Sequence, residues 1–411
     1  MSLNNTSLRN AHTLVAKRLE SVQPSATLAL SQKAADLRSD GRDILSLTVG
    51  EPDFDTPLNI KDAAITAIKE GFTKYTNTDG IPELKMAIQS KFSRENNINY
   101  EIKEIIVSSG GKQVIYNLFM ASLNPGDEVV IPAPYWVSYP DIAVLAGGTP
   151  VFVRCHMEDG FKMSSQKLRN AITNKTKWII INSPSNPTGA VYTKGELEEI
   201  AEVMREQTHI YALVDDMYEH IIFDGIKFHT LAEVAPDLKD RIFTVNGVSK
   251  AYSMTGWRIG YGAGPHNLVK AMTMIQSQST SNPCSISQRA AVEALAGDQS
   301  FIPEHCKTFQ LKRDEVLKMI RQIHGIKCLK PEGAFYLFPS CSAFFGKHTP
   351  GNKIIEDSED FAAYLLEFAD VAVVPGSAFG LEGHFRISYA TSRGELQAAC
   401  TRIAEACAKL L

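Results

Sequence analysis

A lysine and an arginine stand eight residues apart in Ser249-Lys-Ala-Tyr-Ser-Met-Thr-Gly-Trp-Arg258, with no acid between them. A lysine crowded by another cation and partly buried gives up its proton easily, and the free amine can condense with a carbonyl. Arg258, lacking a carboxylate nearby in sequence, suits an anion that the polypeptide does not itself supply. Three more segments offer related chemistry. Gly110-Gly111 opens a run of helical periodicity whose first amides can hold an anion. Ser183-Pro-Ser-Asn-Pro-Thr-Gly189 is a rigid turn presenting Asn186, and Asp215-Asp-Met-Tyr218 carries a carboxylate and a phenol. Singly, each has an ordinary use: glycines in a turn, Asn186 as a turn former, Asp215 as a cap, Tyr218 at a core edge. Together they are what pyridoxal 5′-phosphate requires. Gly110, Gly111 and Arg258 suit its phosphate, Asp215 its protonated pyridine nitrogen, Tyr218 and Asn186 its phenolate oxygen, and Lys250 its aldehyde carbon as a Schiff base.

Short β-branched runs must position these groups. Residues 104–108, 128–132, 177–182, 210–215, 241–246 and 257–262 read as buried strands, separated by segments of helical period. In residues 112–123 the apolar positions 114, 115, 118, 119 and 123 form one stripe, closed by Asn124-Pro-Gly-Asp127. This rhythm predicts an α/β fold with a mostly parallel sheet covered on both faces. In such a sheet ligands gather beyond the carboxyl ends of the strands, and four predicted strand ends deliver the groups just named. From about residue 300 the pattern changes to a long polar helix, a return through residues 333–338, a helix near 358–369, and strands at 371–374 and 385–389. We therefore divide the chain into an N-terminal arm with part of a small unit (1–48), a large cofactor-binding unit (49–300) and a small α+β unit (301–411). The first 45 or so residues have no core of their own and are expected to pack on the C-terminal unit or on a partner chain.

The bulk properties fit an enzyme of small molecules. The 411 residues are 44% hydrophobic and 21% charged, with a formal charge of −4, which leaves no field suited to nucleic acid or an acidic membrane surface. Seven scattered cysteines without a C-x-x-C pair argue against a disulfide framework or zinc knuckle. The N-terminal stretch lacks the apolar core of a signal peptide and no run of 18 apolar residues occurs, so a cytoplasmic location is expected.

The segments Ser46-Leu-Thr-Val-Gly-Glu-Pro-Asp-Phe-Asp-Thr-Pro57, Tyr75-Thr-Asn-Thr-Asp-Gly80 and Pro134-Tyr-Trp-Val-Ser-Tyr139 join Ser183 to Gly189, Asp215 to Tyr218, Ser249 to Arg258 and Phe385-Arg-Ile-Ser388. In this order, and covering about residues 20 to 400, they resemble the class I aminotransferases of fold type I. The likeness is closest to the bacterial aspartate aminotransferases of the Iβ subgroup, some of which also use prephenate. The resemblance implies that Lys250 bonds to the cofactor and then shuttles a proton, with Trp136 stacked on the ring. It assigns Ser249 to the cofactor as well. It places the substrate α-carboxylate on Gly50 and Arg386, the latter by a bidentate fork, with Trp136 and Asn186 also binding substrate. It also implies a homodimer with shared sites, Tyr75 reaching the partner's cofactor phosphate.

Substrate choice is less sharply written. Many aspartate aminotransferases hold the distal carboxylate with an arginine just before a Ser-Asn-Pro turn, but Ser277-Gln-Ser-Thr-Ser-Asn-Pro283 contains none. The resemblance offers Lys112 instead, beside both cofactor and substrate, and Thr27 as a position that accompanies prephenate use. The expected reaction is a ping-pong transfer from L-aspartate or glutamate to 2-oxoglutarate or oxaloacetate, with prephenate second. The rivals are an aromatic, alanine or kynurenine-type aminotransferase or a β-lyase, and more distantly a pyridoxal-binding regulator or a nicotinamide dehydrogenase. The regulator would need a DNA-binding domain for which the segment before residue 46 is too short. The glycines of Gly260-Tyr-Gly-Ala-Gly264 do not fall as G-x-G-x-x-G demands.

Overall fold

A computed structural model describes residues 14–22, 24 and 26–411. Its strands in chain order are β1 (Leu45–Ser46), β2 (Ile105–Ser108), β3 (Glu128–Ala133), β4 (Thr149–Arg154), β5 (Thr176–Asn182) and β6 (Tyr211–Asp215). They continue as β7 (Ile242–Gly247), β8 (Gly260–Ala263), β9 (Tyr336–Leu337), β10 (Val371–Ala372), β11 (Val374–Pro375) and β12 (Phe385–Ser388). Seven of them form one sheet in the order β2-β8-β7-β6-β5-β3-β4. All neighbours are parallel except around β8, which runs antiparallel to both β2 and β7.

Alternation along these strands explains why the sheet is covered twice. Ile105, Val107, Ile179, Ile181, Ala212 and Val214 enter one core with Leu84, Ile88, Phe92 and Leu197 from the helices on that side. Ile106, Ile180, Leu213, Phe243 and Val245 enter the opposite core with Val114, Ile115, Leu118 and Phe119. The last four lie on the helix Gly111–Ser122, the stripe expected from sequence. A third core joins Leu47 and Phe223 to Phe309, Val316, Leu337, Phe361, Phe385 and Ile403. It contains the long helix Phe301–Arg321 and the terminal helix Arg393–Ala408, which starts at a capping box of Ser392 and Glu395. The N-terminal segment packs on this unit. β1 pairs with β10, and Ala34 and Ile44 share a cluster with Leu366 and Ala372.

Two local expectations need correction. The strand read at 257–262 begins only at Gly260, because Thr255–Trp257 forms a 3-10 turn and Arg258 takes a left-handed conformation at φ 56°. β4 was not anticipated: it is an edge strand, partly solvated, with Pro150 inside it, so it lacks the apolar run of its neighbours. Among the described residues no helix is long and apolar enough to cross a membrane, and the seven cysteines are free.

Candidate active site

Parallel register brings three strand ends side by side, with Asn182 opposite Asp215 and Asp215 opposite Val245. Asn182 fixes the arrangement: its Nδ2 donates to the Asp215 carbonyl at 2.9 Å and its Oδ1 accepts from the Asn186 amide at 2.9 Å. Beyond these ends opens a cleft of about 380 Å³, within the range of small-ligand sites. Gly50, Gly111, Lys112, Trp136, Asn186, Asp215, Tyr218, Ser249, Lys250, Arg258 and Arg386 all line it. Residues from distant parts of the sequence are therefore gathered as expected. Tyr75 lies outside the cleft with 92% of its surface exposed. Thr27 falls in the helix Ala26–Ser39, and its side chain lies outside the described residues.

The cleft carries more cations than anions, Lys112, Lys250, Arg258 and Arg386 against Glu51 and Asp215. Arg386 is 2% exposed; its Nη1 donates to Asn186 Oδ1 at 2.9 Å and its Nη2 to the Thr48 carbonyl at 2.5 Å, while Nε has no acceptor. Arg258 donates to the carbonyls of Thr255 and Ser109. Among the described residues neither arginine has a carboxylate within salt-bridge reach, and neither do Lys112 and Lys250. Burial, reinforced by Arg386, pulls the Lys250 ammonium down to about 8, with Glu51 opposing the shift. Its proton donor points at the Gly50 carbonyl, and its Nζ stands 5.6 Å from the Tyr218 ring centre. Burial and then Arg258 lower Lys112, whose Nζ lies 5.2 Å from the Trp136 ring centre.

At the other end sits one buried carboxylate. Burial raises Asp215, while hydrogen bonds from Tyr139 Oη at 2.6 Å and the Met217 amide at 3.2 Å pull the other way, as does Lys250. Tyr139 also meets Trp136 edge to face, with ring centres 5.2 Å apart. Tyr139, Asn182, Glu51 and Tyr336 carry no site role on the sequence alone. Glu51 accepts from Thr255 Oγ1 at 2.8 Å, and Tyr336 Oη lies 2.7 Å from Tyr218 Oη. Gly110 is the helix N-cap at φ 93°, and a Cβ there would come within 2.3 Å of Arg258 Nη2. Only glycine lets the guanidinium close over the start of the helix.

Residues 42–403 match the family of class I and II aminotransferases. The chain belongs to that family. This aminotransferase is 64% identical to the probable aspartate/prephenate aminotransferase of Rickettsia bellii, over 97% of its own length and 100% of the relative's. Its fold matches the crystal structure of the aspartate aminotransferase from Rhizobium meliloti with a TM-score of 0.94, at 52% identity over 97% and 100% of the two chains. It matches the aspartate aminotransferase from Thermus thermophilus with maleate with a TM-score of 0.89, at 43% identity over 95% and 99%. The α/β architecture with a mostly parallel sheet is that of fold type I, as the sequence implied.

Proposed function

We propose that this aminotransferase works with pyridoxal 5′-phosphate and moves the amino group of L-aspartate or glutamate to 2-oxoglutarate or oxaloacetate, accepting prephenate as a second oxo acid. The residues present fit the coenzyme. The side-chain-free cradle at Gly110 under Arg258 suits a phosphate dianion, and the buried Asp215 suits a ring N–H. Trp136 offers a flat wall, and Ser249, buried beside Lys250, a hydroxyl. The observation that carries the reading is Lys250 itself. An amine held near 8 shares one cleft with a buried acid and two arginines that lack carboxylates.

When bound, the coenzyme supplies an aldehyde carbon that takes up amines and a ring that withdraws electrons from the substrate Cα. Lys250 is then the group that holds and moves protons. With its ammonium near 8 rather than 10.5, Lys250 is neutral far more often at physiological pH than an ordinary lysine, so Nζ can accept the Cα proton and later return one. Asp215, kept in place by Tyr139 and the Met217 amide, is the residue that would accept from the coenzyme's ring N–H. Arg386 has five N–H donors, of which Asn186 and Thr48 occupy two and Nε has no protein acceptor. The remaining donors suit a substrate α-carboxylate, which would accept from them as a charge-assisted fork. Asn186 thus serves twice, its Oδ1 aligning Arg386 and its Nδ2 left to donate toward the coenzyme or substrate.

Lys112 supports the preference for dicarboxylates, since it places a further cation on the cleft wall over Trp136. The names of the Rickettsia and Rhizobium proteins, and maleate in the Thermus structure, agree with it. Exposed Tyr75 supports a homodimer whose sites are completed across the interface. We also retain the division into a large unit and a small one, with the cleft between them. The test is a steady-state comparison of aspartate, tyrosine, alanine and cystathionine as donors, with 2-oxoglutarate and prephenate as acceptors. The reading expects the highest kcat/KM for aspartate. A clear preference for tyrosine, alanine or β-elimination from cystathionine overturns it.

A further inference from the structure

The three-stranded sheet β11-β12-β9 sends two side chains into the cleft. Tyr336 of β9 pairs in register with Ser388 of β12, so Arg386, two residues earlier on β12, is its diagonal neighbour on the same face. The Arg386 guanidinium lies 4.6 Å from the centre of the Tyr336 ring, a cation–π contact that needs the ring but not the hydroxyl. The hydroxyl has a different partner. Tyr336 Oη lies 2.7 Å from Tyr218 Oη, the two rings standing edge to face with centres 5.8 Å apart. Both phenols are buried, at 0% and 4% exposure. The same hydroxyl presses on Gly50, where an added Cβ would lie 2.7 Å away, and the Gly50 carbonyl accepts from Lys250. One side chain therefore touches the carboxylate-binding arginine, the phenol next to the coenzyme site and the loop that holds the amine.

We propose that Tyr336 is a positioning residue with two separable parts: its ring aligns Arg386 for the substrate carboxylate, and its hydroxyl orients Tyr218 toward the coenzyme's phenolate oxygen. The proposal rests on the pyridoxal phosphate reading. A phenol has one proton to give. If Tyr218 donates it to the coenzyme, its oxygen must accept from a neighbour, and Tyr336 is the neighbour at hydrogen-bond distance. A donor that is itself a hydrogen-bond acceptor donates more strongly. Tyr336 thereby favours the ionised phenolate oxygen of the coenzyme and makes the nitrogen bonded to Lys250 easier to deprotonate. The charged and titratable groups facing this pair are Arg386, over the Tyr336 ring, Asp215, and Lys250, 5.6 Å from the Tyr218 ring centre.

The test uses the coenzyme-loaded protein and reads the visible absorbance of the Lys250–coenzyme bond against pH, with maleate as a dicarboxylate probe. Tyr336→Phe should raise the absorbance midpoint by roughly 0.3 to 1 pH unit and leave maleate affinity within about twofold. Tyr336→Leu, which also removes the ring, should in addition weaken maleate by about tenfold. In a Tyr218→Phe background the hydroxyl of Tyr336 has nothing to orient, so adding Tyr336→Phe should move the midpoint no further. An unchanged midpoint in Tyr336→Phe overturns the proposal, as does an equal shift in the presence and absence of the Tyr218 hydroxyl. A wild-type protein with no pH-dependent visible band would instead overturn the coenzyme reading beneath it.

Discussion

Replacing Lys250 by methionine should make the coenzyme-free protein more stable at neutral pH, and the gain should disappear as the pH rises. Folding takes the Lys250 ammonium from the ordinary lysine value of 10.5 to about 8. That drop corresponds to about 3 kcal/mol of cost for keeping the charge inside the cleft. That figure is net of the hydrogen bond that the ammonium donates to the Gly50 carbonyl. Methionine fills similar space without the charge, so a gain of up to about 3 kcal/mol is expected at pH 7. The sign with pH follows from proton counting. Below about 8 both folded and unfolded chains carry the proton and the full cost applies. Between about 8 and 10.5 the folded chain has lost the proton while the unfolded chain keeps it, so wild-type stability rises. Above that range the cost is gone. The assay is urea unfolding of both coenzyme-free proteins from pH 7 to 10.5. All other titrating groups are common to the pair, so the difference isolates Lys250. A variant that is no more stable at pH 7, or a difference that stays flat across the range, refutes the claim that Lys250 is held as a strained, readily deprotonated amine.

Other outcomes test the remaining parts of the cleft. Arg386→Lys keeps the charge but loses the fork and its alignment by Asn186 and Thr48, so kcat/KM for aspartate should fall by about 100-fold or more, measured in a coupled steady-state assay. Gly110→Ala puts a side chain at φ 93° and against Arg258, and should weaken pyridoxal phosphate by at least about tenfold in a spectroscopic titration. Lys112→Ala should lower kcat/KM for aspartate about tenfold relative to that for alanine, and an equal loss for both would remove Lys112 from substrate choice.

The sequence disclosed the site better than its supports. Asp215, Asn186 and Lys250 were legible because each follows a recognisable buried strand, and parallel register then obliges the strand ends to meet. Gly110 and Gly111 were legible as the opening of a helix, and Gly110 caps it at φ 93°. Tyr139 and Tyr336 were illegible as site residues for one reason. Their partners, Asp215 and Tyr218, lie 76 and 118 positions away, and a tyrosine beside a strand is ordinarily core. The lack of a core in the N-terminal segment leaves the C-terminal unit and a partner chain both open, and the pairing of β1 with β10 puts residues 45–46 on the C-terminal unit. The start of β8 was misjudged because Arg258 adopts a left-handed conformation that a non-glycine residue seldom shows, here held by bonds to Thr255 and Ser109. Edge strand β4 shows the limit of periodicity when one flank is solvated.

The most direct test of the account is to load the protein with pyridoxal phosphate, reduce it with borohydride and map the labelled peptide. The account predicts one coenzyme per chain, attached at Lys250, with labelling lost in Lys250→Ala. A coenzyme found on another lysine, or none retained by the wild-type protein, contradicts it.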